Sequence, residues 1–369
     1  MPGGVLLPEA PEREALASPW CSGLGRHLAI ILKDRDGPFA ARPGRMSRGS
    51  AQYRVGMVAV DEPGAPSADV APVALTIAGS DSGGGAGIAA DLKAFARCGV
   101  HGTMALTAVT AQSTVGVSAV HEIPSEMVLA QVSAVVGDLG VRAVKVGMLG
   151  GAKAARAVAE ALAVLDPAVP VVVDPVMVSS SGQPLLAAAA RDVLVEQILP
   201  RATVVTPNLD EARALVTPGS RADRGEGQGA AEGADGEPAD AQHRALLAAL
   251  LALGPGAVVL TGGHGGAGGT ETTAPVVDLF AEAARPGVVV PLVGARARSG
   301  GDHGSGCTHA ALIAAQLALG RSPLAAARRA RELTGRAIAE GQRGLGGGPG
   351  PVDVLGLARL RAEELEQRP

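Results

Sequence analysis

The sequence predicts an α/β protein with a doubly wound, mostly parallel central sheet, helices on both faces and antiparallel edge strands. Three observations predict it. Short β-branched runs recur along the chain, several apolar at consecutive positions, as parallel strands covered on both faces are. Between them lie stretches whose large apolar residues are spaced three and four apart and which stop at Gly or before Pro, the pattern of crossover helices. After the sixth run come two more, separated only by a short acidic segment, which reads as an antiparallel pair closing one edge.

In chain order the strand runs are VALTIAG, TMALTAVTAQ, RAVKVGML, VVVDPVM, ATVVTPN and AVVLTGG, and the edge pair is APVVDLF with GVVVPLVG. The intervening helical stretches include SEMVLAQVSAVVGDLG, AKAARAVAEALAVL and AQHRALLAALLALG, and the chain after Gly294 is helical to its end. Residues 1–70 are rich in Pro, Gly, Arg and Ala and show little periodicity beyond the apolar patch HLAIILKD, so they read as a disordered extension. Met46 and Met57 lie within it, shortly before the regular region. One domain is expected over 71–360, interrupted at 217–240 by a stretch of turn formers and charges that reads as a disordered surface insertion.

Composition narrows the functional classes. A chain of 369 residues that is 47% hydrophobic can bury a large core. Its formal net charge is only -4, with Lys and Arg scattered, so no nucleic-acid or anionic-membrane surface is indicated and a small-molecule ligand is expected. Three cysteines, widely spaced and without a CxxC pair, argue against a disulfide framework or a zinc site and fit a reducing cytoplasm. The apolar runs are shorter than the ~18 residues a membrane span needs, and no signal-peptide pattern opens the chain.

Ligands of open α/β sheets bind beyond the carboxyl ends of the strands, and six segments fall there. The first, AGSDSGGGAGIAADLKAF, runs from a strand through glycines into a helix. Neither GxxxxGK nor GxGxxG can be laid over it, since Gly85 stands where the lysine of a phosphate loop is required. What remains is a loop that lets a flat ligand approach the backbone, with Asp91 one helical turn on; the alternative is a tight turn with a solvated Asp91 beside the helix dipole. In TAVTAQST, Gln112 offers both donor and acceptor to a heterocycle, or is an ordinary loop residue. Met148 of KVGML is either core or the wall of a ring pocket.

Asp174, in VVVDPVMVSSSG, is a turn cap or a ligand for Mg2+. In TPNLDEARAL, Asn208 followed by Glu211 at a helix start is a capping box, with ordering of water around Mg2+ as the other reading. In GGDHGSGCTHAALIAAQLALG, the backbone N–H groups of Gly304, Ser305, Gly306 and Cys307 can converge at a helix N-terminus, where an oxyanion or a moving phosphoryl group would be stabilised.

Taken together in register, TIAGSDSGGGAGIAADLKAF, TAVTAQST, KVGML, DPVMVSSSG, TPNLDEA, GGH and HGSGCT resemble the hydroxymethylpyrimidine/phosphomethylpyrimidine kinases of thiamine biosynthesis, members of the ribokinase-like superfamily. The resemblance spans about Val73 to Val354. It implies that the pyrimidine lies against Gly79 and Ala86, is gripped by Asp91 and Gln112, and is lined by Met148 and Val176. It implies that Gly304 to Cys307 form the anion hole, that Asp174 and Glu211 arrange Mg2+, and that Asn208, Thr261 and Gly263 serve ATP. Cys307 stands where most ribokinase-like enzymes carry an aspartate base. A thiol at a helix N-terminus is expected to have a lowered pKa, so Cys307 is expected to accept the hydroxymethyl proton.

The chain departs from the family pattern where the kinases commonly read KGGH. Here the residues are TGGH, so Thr261 replaces a cation and can hydrogen-bond a phosphate without neutralising it. With one Trp, one Tyr and three Phe, ring contacts fall to aliphatic and Met side chains. The implied activity is ATP- and Mg2+-dependent phosphorylation of 4-amino-5-hydroxymethyl-2-methylpyrimidine and then of its monophosphate. Pyridoxal or related vitamin-precursor kinase activity and a catalytically weakened pyrimidine-binding regulator are the alternatives, and a homodimer is the expected assembly.

Overall fold

The computed structural model describes residues 26–33, 54–61, 70–179, 182–217, 239–262, 275–297 and 300–366. Within the N-terminal extension, β1 (Arg26–Lys33) and β2 (Arg54–Asp61) pair antiparallel as a separate ribbon, an element that the composition did not predict. The rest of that extension and most of the 217–240 insertion lie outside the described residues, as does Gly263.

The body of the protein is an eight-stranded sheet. Its strands are β3 (Val73–Ala78), β4 (His101–Leu106), β7 (Val141–Val146), β8 (Val171–Val173), β9 (Val204–Val205), β10 (Ala257–Leu260), β11 (Val276–Glu282) and β12 (Val289–Gly294). Across the sheet the order is β12-β11-β10-β9-β8-β7-β3-β4. Every pair from β4 to β10 is parallel, while β11 and β12 run antiparallel at one edge, as the sequence predicts. The central strands β3, β8, β9 and β10 are buried at every position, because helices cover both sides of the sheet and neither face of the strand meets water.

One face packs α2 (Ser125–Leu139), α3 (Ala152–Ala163), α4 (Ala188–Val193), α5 (Leu209–Val216) and α6 (Ala239–Ala252) against residues such as Leu75, Ile77, Val144, Val146 and Val205. A π turn, Leu194–Ile198, continues α4. The other face carries α1 (Gly87–Arg97), α7 (Ser305–Ala318) and α8 (Pro323–Ala339), with α9 (Leu357–Glu366) at the C-terminus. From Thr308 to Ala318 α7 is buried on all sides, as a helix that is apolar around its whole circumference must be.

One expected strand is two. TMALTAVTAQ runs in the main sheet only to Leu106. After Thr107, whose hydroxyl donates to the Met148 carbonyl at 2.7 Å, the chain leaves the sheet. It continues as β5 (Ala108–Ser113), which pairs antiparallel with β6 (Gly116–Glu122) in a separate hairpin. The sequence reading had no element at β6, because its alternation is not apolar: only Val117 is buried. Among the described residues no helix is long and apolar enough to cross a membrane.

Candidate active site

Five connections converge beyond the carboxyl ends of β3, β7, β8, β9 and β10. The loop after β3 is closed by Asp81. Its Oδ1 accepts the Gly83 N–H at 2.8 Å, and its Oδ2 accepts those of Gly85 at 3.0 Å and Ala86 at 2.8 Å, with the His303 imidazole Nε2 also at 3.0 Å. Burial opposes ionisation of this carboxyl, but the hydrogen bonds from His303, Ala86 and Gly83 outweigh it and hold the group below the usual carboxylate range. Gly79 is glycine because a Cβ there would meet the Met148 thioether, so the two residues form one wall. Ala86 caps α1, and Val176 is half-buried in the turn after β8. The hairpin supplies Gln112, whose backbone is laced to Ser82 in both directions at 2.7 Å. Between glycine loop and hairpin lies an open depression of about 600 Å³ lined by Ser82, Gln112, Val117 and Gln183.

Asp91 is not in that depression, which corrects both expectations for it. Its side chain points from α1 into the protein and is fully buried. Its Oδ2 accepts the Thr76 hydroxyl at 2.6 Å and the Lys145 ammonium at 3.0 Å. Lys145, on β7, is also fully buried and lies 3.8 Å from Asp174 Oδ2. Burial alone would lower the lysine pKa. The charges of Asp91 and Asp174 reverse that, and the ammonium stays protonated. Burial raises the pKa of Asp91, opposed by Lys145 and Thr76. Asp91 thus pairs with a cation inside the protein.

The thiol of Cys307 belongs to this same cluster. It donates to Asp174, and its sulfur accepts the N–H of Gly87. Position at the head of α7 predicted a lowered thiol pKa. The structure gives the reverse: burial first, and then the carboxylates of Asp174 and Asp91, push it up to about 12 against the pull of Lys145. Low dielectric and two nearby anions outweigh the helix dipole. The residue as a whole is half-buried.

The glycine turn before α7 has Gly304 at φ 77°, a left-handed conformation in which a Cβ would collide with the Gly85 carbonyl. The Ser305 N–H turns back to the Asp302 carbonyl at 3.1 Å. Ser305 therefore does not join its amide to the anion site as expected. Among the described residues the N–H groups of Gly304, Gly306 and Cys307 make no backbone hydrogen bond, while the Asp302 and His303 carbonyls accept from Ser305 and Val352.

Asn208 and Glu211 form a complete capping box, each accepting the other's backbone N–H at 2.9 and 3.0 Å. Glu211 also faces Asp174. Burial, then the Asp174 charge, push its carboxyl up to about 8, with the Asn208 and Met177 N–H groups opposing. Asp174 is raised as well, by burial before the mixed influence of Lys145 and Asp91. Thr261 is adjacent: its hydroxyl donates to the Pro207 carbonyl at 3.3 Å, and its backbone bridges to Asn208.

Sequence reasoning passed over Asp81, Lys145 and His303. A lysine inside a strand apolar on both faces was the available signal for Lys145. For Asp81 and His303 there was none locally, since their partners are far away in the chain.

Comparison with known proteins agrees with this geometry. Residues 81–353 match the family described as Phosphomethylpyrimidine kinase. The chain is 44% identical over 282 residues to the hydroxymethylpyrimidine/phosphomethylpyrimidine kinase of Streptomyces coelicolor, covering 76% of this chain and 94% of that one. It is 45% identical over 260 residues to the protein of the same name from Mycobacterium tuberculosis, covering 70% and 85%. Among solved structures, the pyridoxal kinase from Staphylococcus aureus in complex with ADP aligns with a TM-score of 0.64 at 29% identity, over 79% of this chain and 96% of that one. Phosphomethylpyrimidine kinase from Clostridium difficile 630 aligns with a TM-score of 0.55 at 32% identity, over 70% and 96%. The chain therefore shares the fold of these kinases and belongs to the phosphomethylpyrimidine kinase family.

Proposed function

We propose that this cleft transfers the γ-phosphoryl group of ATP to the hydroxymethyl group of 4-amino-5-hydroxymethyl-2-methylpyrimidine, and a second to the resulting monophosphate, in thiamine biosynthesis. The observation that carries the reading is the head of α7, where the amides of Gly306 and Cys307 lack carbonyl partners and stand beside the Cys307–Asp174 contact. Gly79, Ala86, Met148 and Val176 shape the ring pocket, and Gln112 reads its polar edge. Gly306 and Cys307 take the transferring group, with Gly304 setting the turn. Thr261 and the Asn208 cap lie on the nucleotide side.

Asp174 and Glu211 suit Mg2+. Asp174 Oδ2 is buried without a hydrogen-bond partner, and burial and the Asp174 charge push the Glu211 carboxyl up to about 8, which a cation between them would relieve. When bound, Mg2+ would neutralise the nucleotide phosphates there. Phosphoryl transfer depends on alignment and charge more than on a strong base. With its pKa pushed up to about 12 the thiol is protonated, so it takes the hydroxymethyl proton, once the O–P bond has begun to form, only by passing its own proton to the Asp174 carboxylate it contacts.

The test is product formation by the purified protein with ATP and Mg2+, comparing the hydroxymethylpyrimidine, its monophosphate and pyridoxal. Conversion to the diphosphate is expected. Phosphorylation of pyridoxal alone, the reading favoured by the S. aureus likeness, would overturn it. Thr261→Lys is expected to lower the KM for ATP about tenfold, in line with a charge-assisted phosphate contact.

A further inference from the structure

We propose that His303 and Asp81 are positioning residues for phosphoryl transfer, a bridge that fixes the anion site at the head of α7 against the glycine loop that holds the acceptor. The inference rests on the functional reading above. The two side chains are 222 residues apart in sequence, meet at 3.0 Å, and are 8% and 5% exposed.

Asp81 already closes its own loop through three backbone N–H groups, of Gly83, Gly85 and Ala86. The contact with His303 is not needed for that closure. What it adds is a tie to the residue immediately before Gly304. The main chain of His303 is held from the opposite side, its N–H donating to the Gly350 carbonyl and its carbonyl accepting the Val352 N–H, each at 3.1 Å. The imidazole crosses between the two loops, beside the contact of the Cys307 sulfur with the Gly87 N–H.

Both loops are cut back to glycine where they touch. A Cβ at Gly304 would land on the Gly85 carbonyl, and a Cβ at Gly85 would land on the His303 ring. Removing the imidazole leaves each loop with its own hydrogen bonds and leaves only the weak Cys307–Gly87 contact to set their offset. Reacting atoms must stand about 3–3.5 Å apart and in line, and a displacement of about 1 Å costs roughly a hundredfold in rate. The bridge therefore acts on the chemical step more than on acceptor binding.

The experiment is steady-state and single-turnover kinetics of His303→Ala and His303→Gln, with acceptor Kd from calorimetry and folding from circular dichroism. The Ala variant is expected to lose roughly a hundredfold in kcat, while the acceptor Kd changes by less than about threefold. The Gln variant, whose amide can donate to Asp81, is expected to recover at least about tenfold of that loss. If the Ala variant does not fold, His303→Leu, which fills the space without donating, takes its place under the same criterion. A kcat within about threefold of wild type, a loss confined to KM and Kd, or a Gln variant no better than Ala or Leu overturns the proposal. Wild-type protein that phosphorylates no pyrimidine fails the functional reading instead, and the variants are then judged on the acceptor it does phosphorylate.

Discussion

Replacing Lys145 by Met tests whether the buried charge cluster is the structural centre of the cleft. The ammonium is fully buried, 3.0 Å from Asp91 and 3.8 Å from Asp174. Met keeps most of the volume but leaves two carboxylates facing each other in low dielectric. Breaking one partner out of a buried pair costs about 3–5 kcal/mol, most of it the stranded charge and not the lost attraction. At about 2–4 °C per kcal/mol for a domain of this size, the melting temperature should fall by about 6–20 °C.

Scanning calorimetry or far-ultraviolet circular dichroism is the suitable assay, because the single tryptophan, Trp20, lies outside the described residues. Adding Asp91→Asn should restore part of the loss, since Asn can still accept from Thr76 and carries no charge to strand. The coupling between the two changes should exceed about 1 kcal/mol. A fall of less than about 3 °C for Lys145→Met, or additivity in the double variant, would show that the cluster is solvated or already neutral and would refute the argument.

Three further outcomes follow from the same cleft. Cys307, its thiol pushed up to about 12, should be alkylated by iodoacetamide far more slowly at neutral pH than an ordinary thiol. Cys307→Ala should reduce turnover without abolishing it, whereas Gly306→Asp, which puts a charge at the anion site, should abolish it. Equal activity of these variants and wild type would contradict the assignment. Glu211 gives a pH dependence whose sign can be worked out. Its folded carboxyl is raised to about 8, so between the ordinary carboxyl range and about pH 8 the folded state holds a proton that the unfolded chain has released. Stability contributed there is complete below the ordinary pKa and is lost as pH rises towards about 8. In chelator, the melting temperature should fall from about pH 5 to about pH 8. Glu211→Gln, which can still accept the Asn208 N–H, should flatten the fall, and so should Mg2+; a profile unchanged by both would sink the shared-carboxyl reading.

What the sequence by itself determined is local. Apolar runs and 3.6-residue spacing specify the parallel strands, the crossover helices and the antiparallel edge, because each pattern is satisfied within a few residues. Asn208 and Glu211 were legible as a capping box for the same reason: the reciprocal bonds span three residues. So was the turn from Gly304 into α7, where glycine supplies the left-handed conformation.

Only the tertiary structure decided where the polar side chains of the site point. Asp91 looks inward because Lys145, 54 residues later, supplies the buried charge that makes burial tolerable. The Cys307 thiol is protonated because burial, and then two carboxylates from other elements, outweigh the pull of Lys145 and the dipole of its own helix. Thr107 ends one strand and starts a hairpin because the Met148 carbonyl waits across the sheet. Asp81 and His303 meet only when the first and last connections of the fold come together. Each of these is set by partners brought near through long-range packing, and no pattern confined to neighbouring residues encodes them.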